Sequence, residues 1–298
     1  MDMTTDIQLA GDINWRNHDR FGYQRLTRAV YGRLPDLSAM TQWQAQRTRF
    51  LAHTRAVMAT LQGHDAVLYG VTALQVLQVP LPVSLQDWDR CHVLVPAEVR
   101  RPERRGVVAH STQERSAAWA TREGLPVLHP VDHWLQLRGT DDELVEVADG
   151  LVRRQHPLIK IDDFRQRLDD LSGRAGVQTG RRLLKMVIPG TDSLYETRTR
   201  LLIVHAGLPT PVVNYRVMCR SGVVYLLDMA YPFEKVAVEY DGAGHVGNRT
   251  QMENDAQRRR DLQDEGWLII TVTAQDMGDP APFIRSLEEA LILRRAMR

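Results

Sequence analysis

The chain has 298 residues, of which 43% are hydrophobic and 25% charged, and this ordinary globular composition excludes extensive disorder. Its 38 basic and 37 acidic residues nearly cancel, so any surface for nucleic acid has to be a local patch. The two cysteines, Cys91 and Cys219, lie far apart and lack metal-ligand spacing. Neither a zinc site nor a disulfide framework is therefore indicated.

Two further features predict the location. No apolar run approaches the length that crosses a bilayer, and the polar, acidic start MDMTTDIQ is not a signal peptide. We therefore expect no membrane partner and a cytoplasmic location.

The length suits two domains, and the predicted elements indicate an α/β (mixed α+β) fold. We expect a mainly helical N-terminal region at 1–188, with a possible winged-helix module and a small β unit, and a second domain at 189–298. The boundary is placed at Pro189-Gly190, where a Pro-Gly pair precedes a new helix start.

Residues 15–82 are predicted to be mainly helical. The stretch TQWQAQRTRFLAHTRAVMATL fits an amphipathic helix. Its inward-facing residues would be Trp43, Phe50, Val57 and Leu61. The preceding FGYQRLTRAVYGRLPDL is a weak winged-helix candidate. Its arginines near DNA would be Arg25, Arg28 and Arg33.

From Asp65 to about Leu137 the pattern predicts a second small unit. DAVLYGVTALQVLQV is typical of a buried helix, and CHVLVP and RGVVAHS are typical of strands. The basic run between these strands is broken by Pro102, which favours a hairpin loop. Arg104 and Arg105 at its tip are candidates for phosphate contact, with a solvated loop as the alternative. The histidines His110, His129 and His133 are spaced irregularly for a metal, which favours ordinary surface or core roles.

This middle region resembles a known family. The segments GVTAL, HVLVPAEVRRPERRGVVAHS and GLPVLHPVDHWLQL resemble the antitoxin and regulator proteins of abortive-infection systems. In that family such a unit precedes a nuclease-like domain. The resemblance implies a protein partner for an antitoxin role.

Helices are predicted again from Asp141 to Met186, and another begins at TDSLYETRTRLLIVHAGLPTP. Ser193 is its expected N-cap, and Glu196 stands where a capping box returns a hydrogen bond to the cap. NYRVMCRSGVVYLLDM then predicts two strands around a Ser221-Gly222 turn.

Acidic residues end two neighbouring predicted strands. The segments 225–229 and 236–240 flank a turn, with Asp228 near the end of the first and Glu239 and Asp241 at the end of the second. Because these acids lie on adjacent antiparallel strands around a short connection, we expect the carboxylates to face one another across one rung or a diagonal. Like charges this close mean a raised pKa, a metal site or side chains that point apart.

The C-terminal third resembles the very-short-patch-repair-like branch of the restriction-endonuclease (PD-(D/E)xK) fold. The residues that carry the resemblance are Glu196, Asp228, Glu239-Tyr240-Asp241-Gly242, His245, Asp255, Arg258, Leu262 and Gly266-Trp267. It implies a mixed sheet flanked by helices and a nuclease site that binds Mg²⁺ or Mn²⁺.

Carried over by position, the resemblance implies that Asp228 and Glu239 hold the metal and that Glu196 is the acid from the helix. His245 and Asp241 are the expected proton acceptors for the attacking water. Arg258 matches a family position, and Arg258 and Arg259 are candidates for contact with DNA, with pairing to Asp255, Asp261 or Asp264 as the alternative for Arg258.

Two differences from the family keep a second hypothesis open. Asp241 stands where many relatives have lysine, and Thr271 where the family often has arginine. The first hypothesis is a metal-dependent DNA endonuclease in repair or defence against foreign DNA. The second is a DNA-binding regulator or antitoxin with a degenerate nuclease domain, and the third is a protein-interaction module in which the acids are structural.

The remaining segments predict a helix, a strand and a last helix. QMENDAQRRRDLQDEGW forms the first helix, LIITVT is a buried strand, and PAPFIRSLEEALILRRAM is the closing helix. The closing helix would pack through Phe283, Leu287, Leu291 and Leu293.

Overall fold

A computed structural model of the chain describes residues 6–9, 23–27, 30–113, 119–120, 123–242 and 249–297. The chain divides into two compact units, Met1–Arg138 and Gly139–Arg298. This division lies before the helices of residues 141–186, whereas the sequence suggested a boundary at 188/189. The difference arises because the first of these helices packs against the helix that begins at Leu194, and so these helices belong with the C-terminal unit.

The first unit combines two sheets with three helices among its described residues. A three-stranded antiparallel sheet has the order β1-β3-β2, and a five-stranded sheet has the order β6-β5-β4-β8-β7. The elements in chain order are β1 (Asp6–Leu9), β2 (Gln24–Thr27), β3 (Val30–Arg33), α1 (Gln42–Ala59), β4 (Val67–Leu68), α2 (Gly70–Val76), β5 (Cys91–Pro96), β6 (Val107–Thr112), β7 (Trp119–Ala120), β8 (Pro126–Val127) and α3 (Pro130–Trp134).

The segment predicted as a winged-helix candidate forms strands in its described part. Along β3 the burial alternates, with Val30 and Gly32 buried and Tyr31 and Arg33 more exposed. This period of two is that of a strand with one face packed, and it overrides the helical prediction for these residues. Arg25 lies on β2, and Arg28 lies outside the described residues.

Helix α1 begins at a capping box formed by Thr41 and Gln44. Phe50 and Val57 are buried as predicted, and so is Leu61 just beyond the helix. The prediction for Trp43 was wrong, because its side chain is 56% exposed. In the first turns of α1 the buried stripe instead runs through the small residues at positions 45 and 48.

Strands β5 and β6 are parallel, so the predicted hairpin between them is wrong. Residues 97–106 run back along the sheet before β6 begins. An extended chain covers about 3.3–3.6 Å per residue, and this connection is therefore long enough to return past the six-residue strand β5. Arg104 and Arg105 lie exposed near the end of the connection, where Arg104 donates a hydrogen bond to the Thr60 carbonyl oxygen at 3.5 Å.

The second unit is a mixed four-stranded sheet with helices, and the predicted α/β class is confirmed. The strand order is β12-β11-β10-β9, in which β9–β10 and β10–β11 are antiparallel and β11–β12 is parallel. The elements are α4 (Asp141–Leu151), α5 (Ile161–Asp170), α6 (Val177–Leu183), α7 (Leu194–His205), β9 (Val212–Met218), β10 (Val224–Tyr231), β11 (Val236–Tyr240), α8 (Arg249–Asp264), β12 (Leu268–Val272), α9 (Ala274–Gly278) and α10 (Ala281–Ala296). Helix α8 is the crossover that a parallel pair of strands needs.

Two apolar clusters use different strand residues of this sheet. Val236 and Val238 pack with residues of α7 and α10, whereas Ala237 packs with Leu262 of α8 and Trp267. Phe283, Leu287 and Leu291 are buried as predicted, but Leu293 is 60% exposed. Leu293 lies two residues after Leu291, which turns it about 200° around the helix and away from the sheet.

Helices α4 and α7 are joined by a buried ion pair. Arg200 donates to an Asp149 carboxylate oxygen at 2.8 Å, and both side chains are almost fully buried. The Thr197 hydroxyl and the Ile188 N–H donate to the same carboxylate, each at 2.9 Å. Burial raises the pKa of Asp149, while Arg200 and these hydrogen bonds lower it. No helix in the described ranges is both long and apolar enough to cross a membrane.

Replacing Arg200 with methionine tests this pair. The substitution keeps side-chain volume but leaves the buried Asp149 without a countercharge, so the free energy of unfolding should fall by about 3–5 kcal/mol in urea titrations. Adding Asp149→Asn should recover part of that loss. The control is Arg182→Met, which removes an exposed pair with Asp141 and should leave the midpoint nearly unchanged. Equal losses in the two single variants would contradict the assignment.

Candidate active site

Asp228 and Glu239 meet where the ladder between β10 and β11 ends. The last paired residues on this side are Met229 and Val238, and the same register places Asp228 opposite Glu239 on the next rung. There the Tyr240 N–H donates to Asp228 Oδ2 at 3.1 Å. A side-chain oxygen thus replaces the next inter-strand backbone acceptor, and the two acids are neighbours where the β10–β11 ladder ends.

Glu196 joins them from the first turn of α7. Ser193 is the N-cap as predicted, since its Oγ accepts a hydrogen bond from the Glu196 N–H at 3.1 Å. The Glu196 carboxylate accepts from the Asp192 N–H at 2.9 Å, one residue before the cap, and not from the backbone N–H of the cap residue. Glu196 is buried, with 8% of its surface exposed. Its capping role and its position near Asp228 are therefore compatible.

We call Glu196, Asp228 and Glu239 the acid cluster. Burial, together with the charges of Glu196 and then Glu239, raises the pKa of Asp228 from 3.8 to about 7. The Tyr240 N–H and Arg258 act in the opposite direction. Burial also raises the pKa of Glu196, against the hydrogen bonds from Asp192 and Ser193. The charges of Glu196 and Glu239 therefore disfavour the charged form of Asp228.

Arg258 provides the positive charge that balances Glu239. Its guanidinium donates to both Glu239 oxygens, at 2.6 and 2.5 Å, and also to the Leu226 carbonyl oxygen at 2.7 Å. The same group lies 5.8 Å from the centre of the Tyr225 ring. The predicted pairing with an aspartate of its own helix gives way to this cross-element pair, because the two oxygens of Glu239 match the guanidinium fork.

The other predicted residues are distributed around this cluster. Asp241 is exposed, and its N–H extends the parallel ladder by donating to the Val272 carbonyl oxygen at 2.8 Å. Arg259 is exposed on α8. Glu239, Asp241, Arg258 and Arg259 all line one groove of about 670 Å³. His245 lies outside the described residues.

The chemistry of the acid cluster suits a hard divalent cation. Its donors are carboxylate oxygens, which Mg²⁺ and Mn²⁺ prefer, and a cation would relieve the repulsion that raises the pKa of Asp228. Within the described part of the chain, no three His, Cys, Asp or Glu side chains are arranged as a ready metal site. Glu239 would have to exchange the Arg258 guanidinium for the ion.

Arg104 and Arg105 line a separate groove, of about 780 Å³, in the first unit. Arg25 and His53 also contribute to it, as do the acids Asp89 and Glu103. The loop therefore brings together arginines that are distant in sequence, although the acids offset part of their charge.

The histidines of the first unit occupy structural positions. His133 is fully buried, and burial lowers its pKa to about 3. His129 accepts the Val131 N–H and caps α3. His110 Nε2 lies 3.2 Å from His92 Nδ1, and His92 Nε2 lies 3.1 Å from Asp87 Oδ2. The sequence did not reveal this Asp–His–His chain, because its members come from two strands and a loop.

Two tyrosines beside the acid cluster were also missed by the sequence analysis. Tyr195 and Tyr240 stack with ring centroids 4.5 Å apart and planes inclined by 2°. The only signal in the sequence is that each tyrosine directly adjoins an acid, Glu196 or Glu239.

Comparisons with known proteins show limited similarity. No protein-family model matches the chain. The uncharacterized proteins MT2308 and Rv2248, from two strains of Mycobacterium tuberculosis, are each 30% identical to it over 105 residues. That alignment covers 35% of this chain and 39% of each relative, so the chain matches well under half of their length. The crystal structure of the RV2827C protein from Mycobacterium tuberculosis covers 74% of this chain and 86% of its own, with 16% identity and a TM-score of 0.40, which does not establish a common fold.

The raised pKa of Asp228 should appear in the pH dependence of stability. The folded-state pKa of about 7 exceeds the ordinary 3.8, so the folded protein favours the protonated Asp228 carboxyl. The contribution of this carboxyl to the free energy of unfolding is full below about pH 4 and is lost as pH rises through 7. Asp228→Asn removes this dependence. The stability of the variant relative to the wild type should therefore rise between pH 4 and 7, by a few kcal/mol in order of magnitude, and then level off.

Two further variants, measured in metal-free buffer, test which neighbouring charges shift the pKa of Asp228. Glu196→Gln removes a repelling charge and should lower the Asp228 pKa, whereas Arg258→Gln removes an attractive charge and should raise it. Carbon-13 NMR titration of the Asp228 carboxyl measures both shifts. Shifts of the same sign, or none, would show that the three groups are not in electrostatic contact.

Proposed function

We propose that this protein is a metal-dependent DNA endonuclease that hydrolyses phosphodiester bonds with Mg²⁺ or Mn²⁺, in DNA repair or in defence against foreign DNA. The observation that carries the proposal is the acid cluster, in which two neighbouring strands and a helix start bring three carboxylates together. Such crowding costs free energy unless it serves to bind a cation.

The residues divide into binding and proton-transfer roles. Asp228 and Glu239 would hold the cation, and Glu196 would supply the third carboxylate from α7. The bound cation would lower the pKa of a water and offset the charge that develops on the phosphate. Asp241 lines the groove as an exposed carboxylate and would accept the water's proton. His245 remains the other predicted acceptor.

Arg258 and Arg259 are the groups proposed to contact the DNA backbone. They occupy successive positions of α8 and line the groove that contains Glu239 and Asp241. A guanidinium binds phosphate oxygens through the same fork that Arg258 presents to Glu239. Release of Glu239 to a cation would therefore make Arg258 available to a phosphate.

A second function is favoured by the Arg258–Glu239 pair itself. The guanidinium donates to both Glu239 oxygens, an internal pairing expected of a nuclease-like domain that has lost catalysis. The protein would then be a DNA-binding regulator or antitoxin, with Arg104 and Arg105 as additional DNA contacts and a protein as its partner.

Cleavage assays on single-stranded, duplex and branched DNA with Mg²⁺ or Mn²⁺ test the proposal. Asp228→Asn and Glu239→Gln should each lower the cleavage rate at least about 100-fold, because each removes a ligand of the catalytic cation. The matched control is Glu288→Gln, which changes an exposed acid on α10 and should leave the rate unchanged.

DNA binding measured at several salt concentrations separates the remaining outcomes. Binding that weakens with salt, without cleavage by the wild type, would refute the nuclease proposal in favour of the regulator. Absence of binding at every salt concentration would refute both, and would leave the acid cluster with a structural role.

A further inference from the structure

An aromatic stack borders the acid cluster. Tyr195, in the first turn of α7, lies parallel to Tyr240 at the end of β11, with a ring separation of 4.5 Å and an angle of 2°. Parallel rings at this centroid distance form an offset stack, one of the two arrangements that aromatic pairs prefer. Tyr195 is 43% exposed, so the stack reaches the surface.

The guanidinium of Arg198 also lies over the Tyr195 ring. The Arg198 guanidinium carbon lies 5.4 Å from the centre of the Tyr195 ring. Two hydrogen bonds of 2.8 Å to the Glu146 carboxylate hold this guanidinium in place. We call the two tyrosine rings and the Arg198 guanidinium the ledge. Its parts are held in place by contacts within the protein.

The ledge lies on the side of the sheet from which Glu196 approaches. Side chains at successive strand positions point to opposite faces, so the Tyr240 ring lies towards α7, while Glu239 lies towards Arg258 of α8. Tyr195 directly precedes Glu196, and the Tyr240 backbone donates to Asp228. A nucleotide whose phosphate reached Glu196 and Asp228 would therefore have its base near the ledge.

Charge alone gives this region little affinity for DNA before a cation binds. The acid cluster repels phosphate, and Arg258 and Arg198 are both engaged by glutamates. Stacking on an aromatic ring is independent of that repulsion and tolerates any base. Stacking also distinguishes unpaired bases from bases inside a duplex, because both faces of a base inside a duplex are already covered by its neighbours.

We infer that Tyr195 and Tyr240 form a platform for an unpaired nucleobase, and that the protein selects single-stranded or locally unpaired DNA at the acid cluster. This inference rests on the proposed function, because it takes DNA as the ligand. It adds the structural class of the DNA and the residues that recognise it.

The test is binding of the full chain to labelled oligonucleotides in EDTA, followed by fluorescence anisotropy. Tyr195→Leu should weaken binding of a single strand about tenfold, while binding of the same sequence as a duplex changes less than twofold. Tyr195→Phe keeps the ring and should retain wild-type affinity. A 2-aminopurine in the single strand should be quenched by the wild type and by Tyr195→Phe, but not by Tyr195→Leu.

The control is Phe233→Leu, which removes another exposed aromatic side chain, 65% exposed, from the turn at the other end of β10 and β11. It should leave binding of both DNA forms unchanged. Thermal unfolding of each variant verifies that the fold is intact.

The outcomes separate this inference from the proposed function. If the wild type cleaves DNA but Tyr195→Leu binds and quenches the single strand normally, the platform is refuted and the nuclease stands. If the wild type binds single strands through Tyr195 and never cleaves, the platform stands and the nuclease is refuted. Equal affinity of the wild type for single strands and duplex, or no binding at all, overturns the platform.

Discussion

The hydrogen bond from the Tyr240 N–H to the Asp228 carboxylate is the contact on which the candidate active site depends. It occupies the position after the last backbone pair between β10 and β11, and it fixes a carboxylate at the point where this ladder ends. Glu239 lies across the same rung and Glu196 approaches from α7, so burial and like charge together raise the Asp228 pKa to about 7. Arg258 compensates one of the three acids.

The rest of the second unit holds these groups on regular structure. Helix α7 is fixed against α4 by the buried Asp149–Arg200 pair, and its first turn is closed by Ser193. Helix α8 carries Arg258, and its Leu262 packs with Ala237 of β11, close to Glu239. Side chains on packed helices and strands keep their geometry better than side chains on loops, which suits a site that concentrates like charges.

Much of this unit was predictable from local patterns. The strands 212–218, 224–231 and 236–240 follow turn residues and apolar runs, and the Ser193 cap follows from helix-start chemistry. The partner of Arg258 could not be predicted, because several acids of the same helix were equally plausible partners in the sequence. The tertiary structure places Glu239 against Arg258 instead. Strand direction was equally hidden: β5 and β6 have strand-like sequences whether parallel or antiparallel. Trp43 and Leu293 were assigned to buried faces because they are apolar. Trp43 lies in the first turn of α1, where the buried stripe follows smaller residues, and Leu293 lies about 200° around α10 from Leu291.

Binding of Mn²⁺ to metal-free protein, followed by electron paramagnetic resonance, tests most directly whether the acid cluster is a cation site. We expect one saturable Mn²⁺ per chain and at least about tenfold weaker binding in Asp228→Asn and Glu239→Gln. Arg258→Met should bind Mn²⁺ more tightly, because it removes the guanidinium that competes with the ion for Glu239. Binding that is absent in the wild type and in Arg258→Met, or that is unchanged in the two acid variants, would contradict the account.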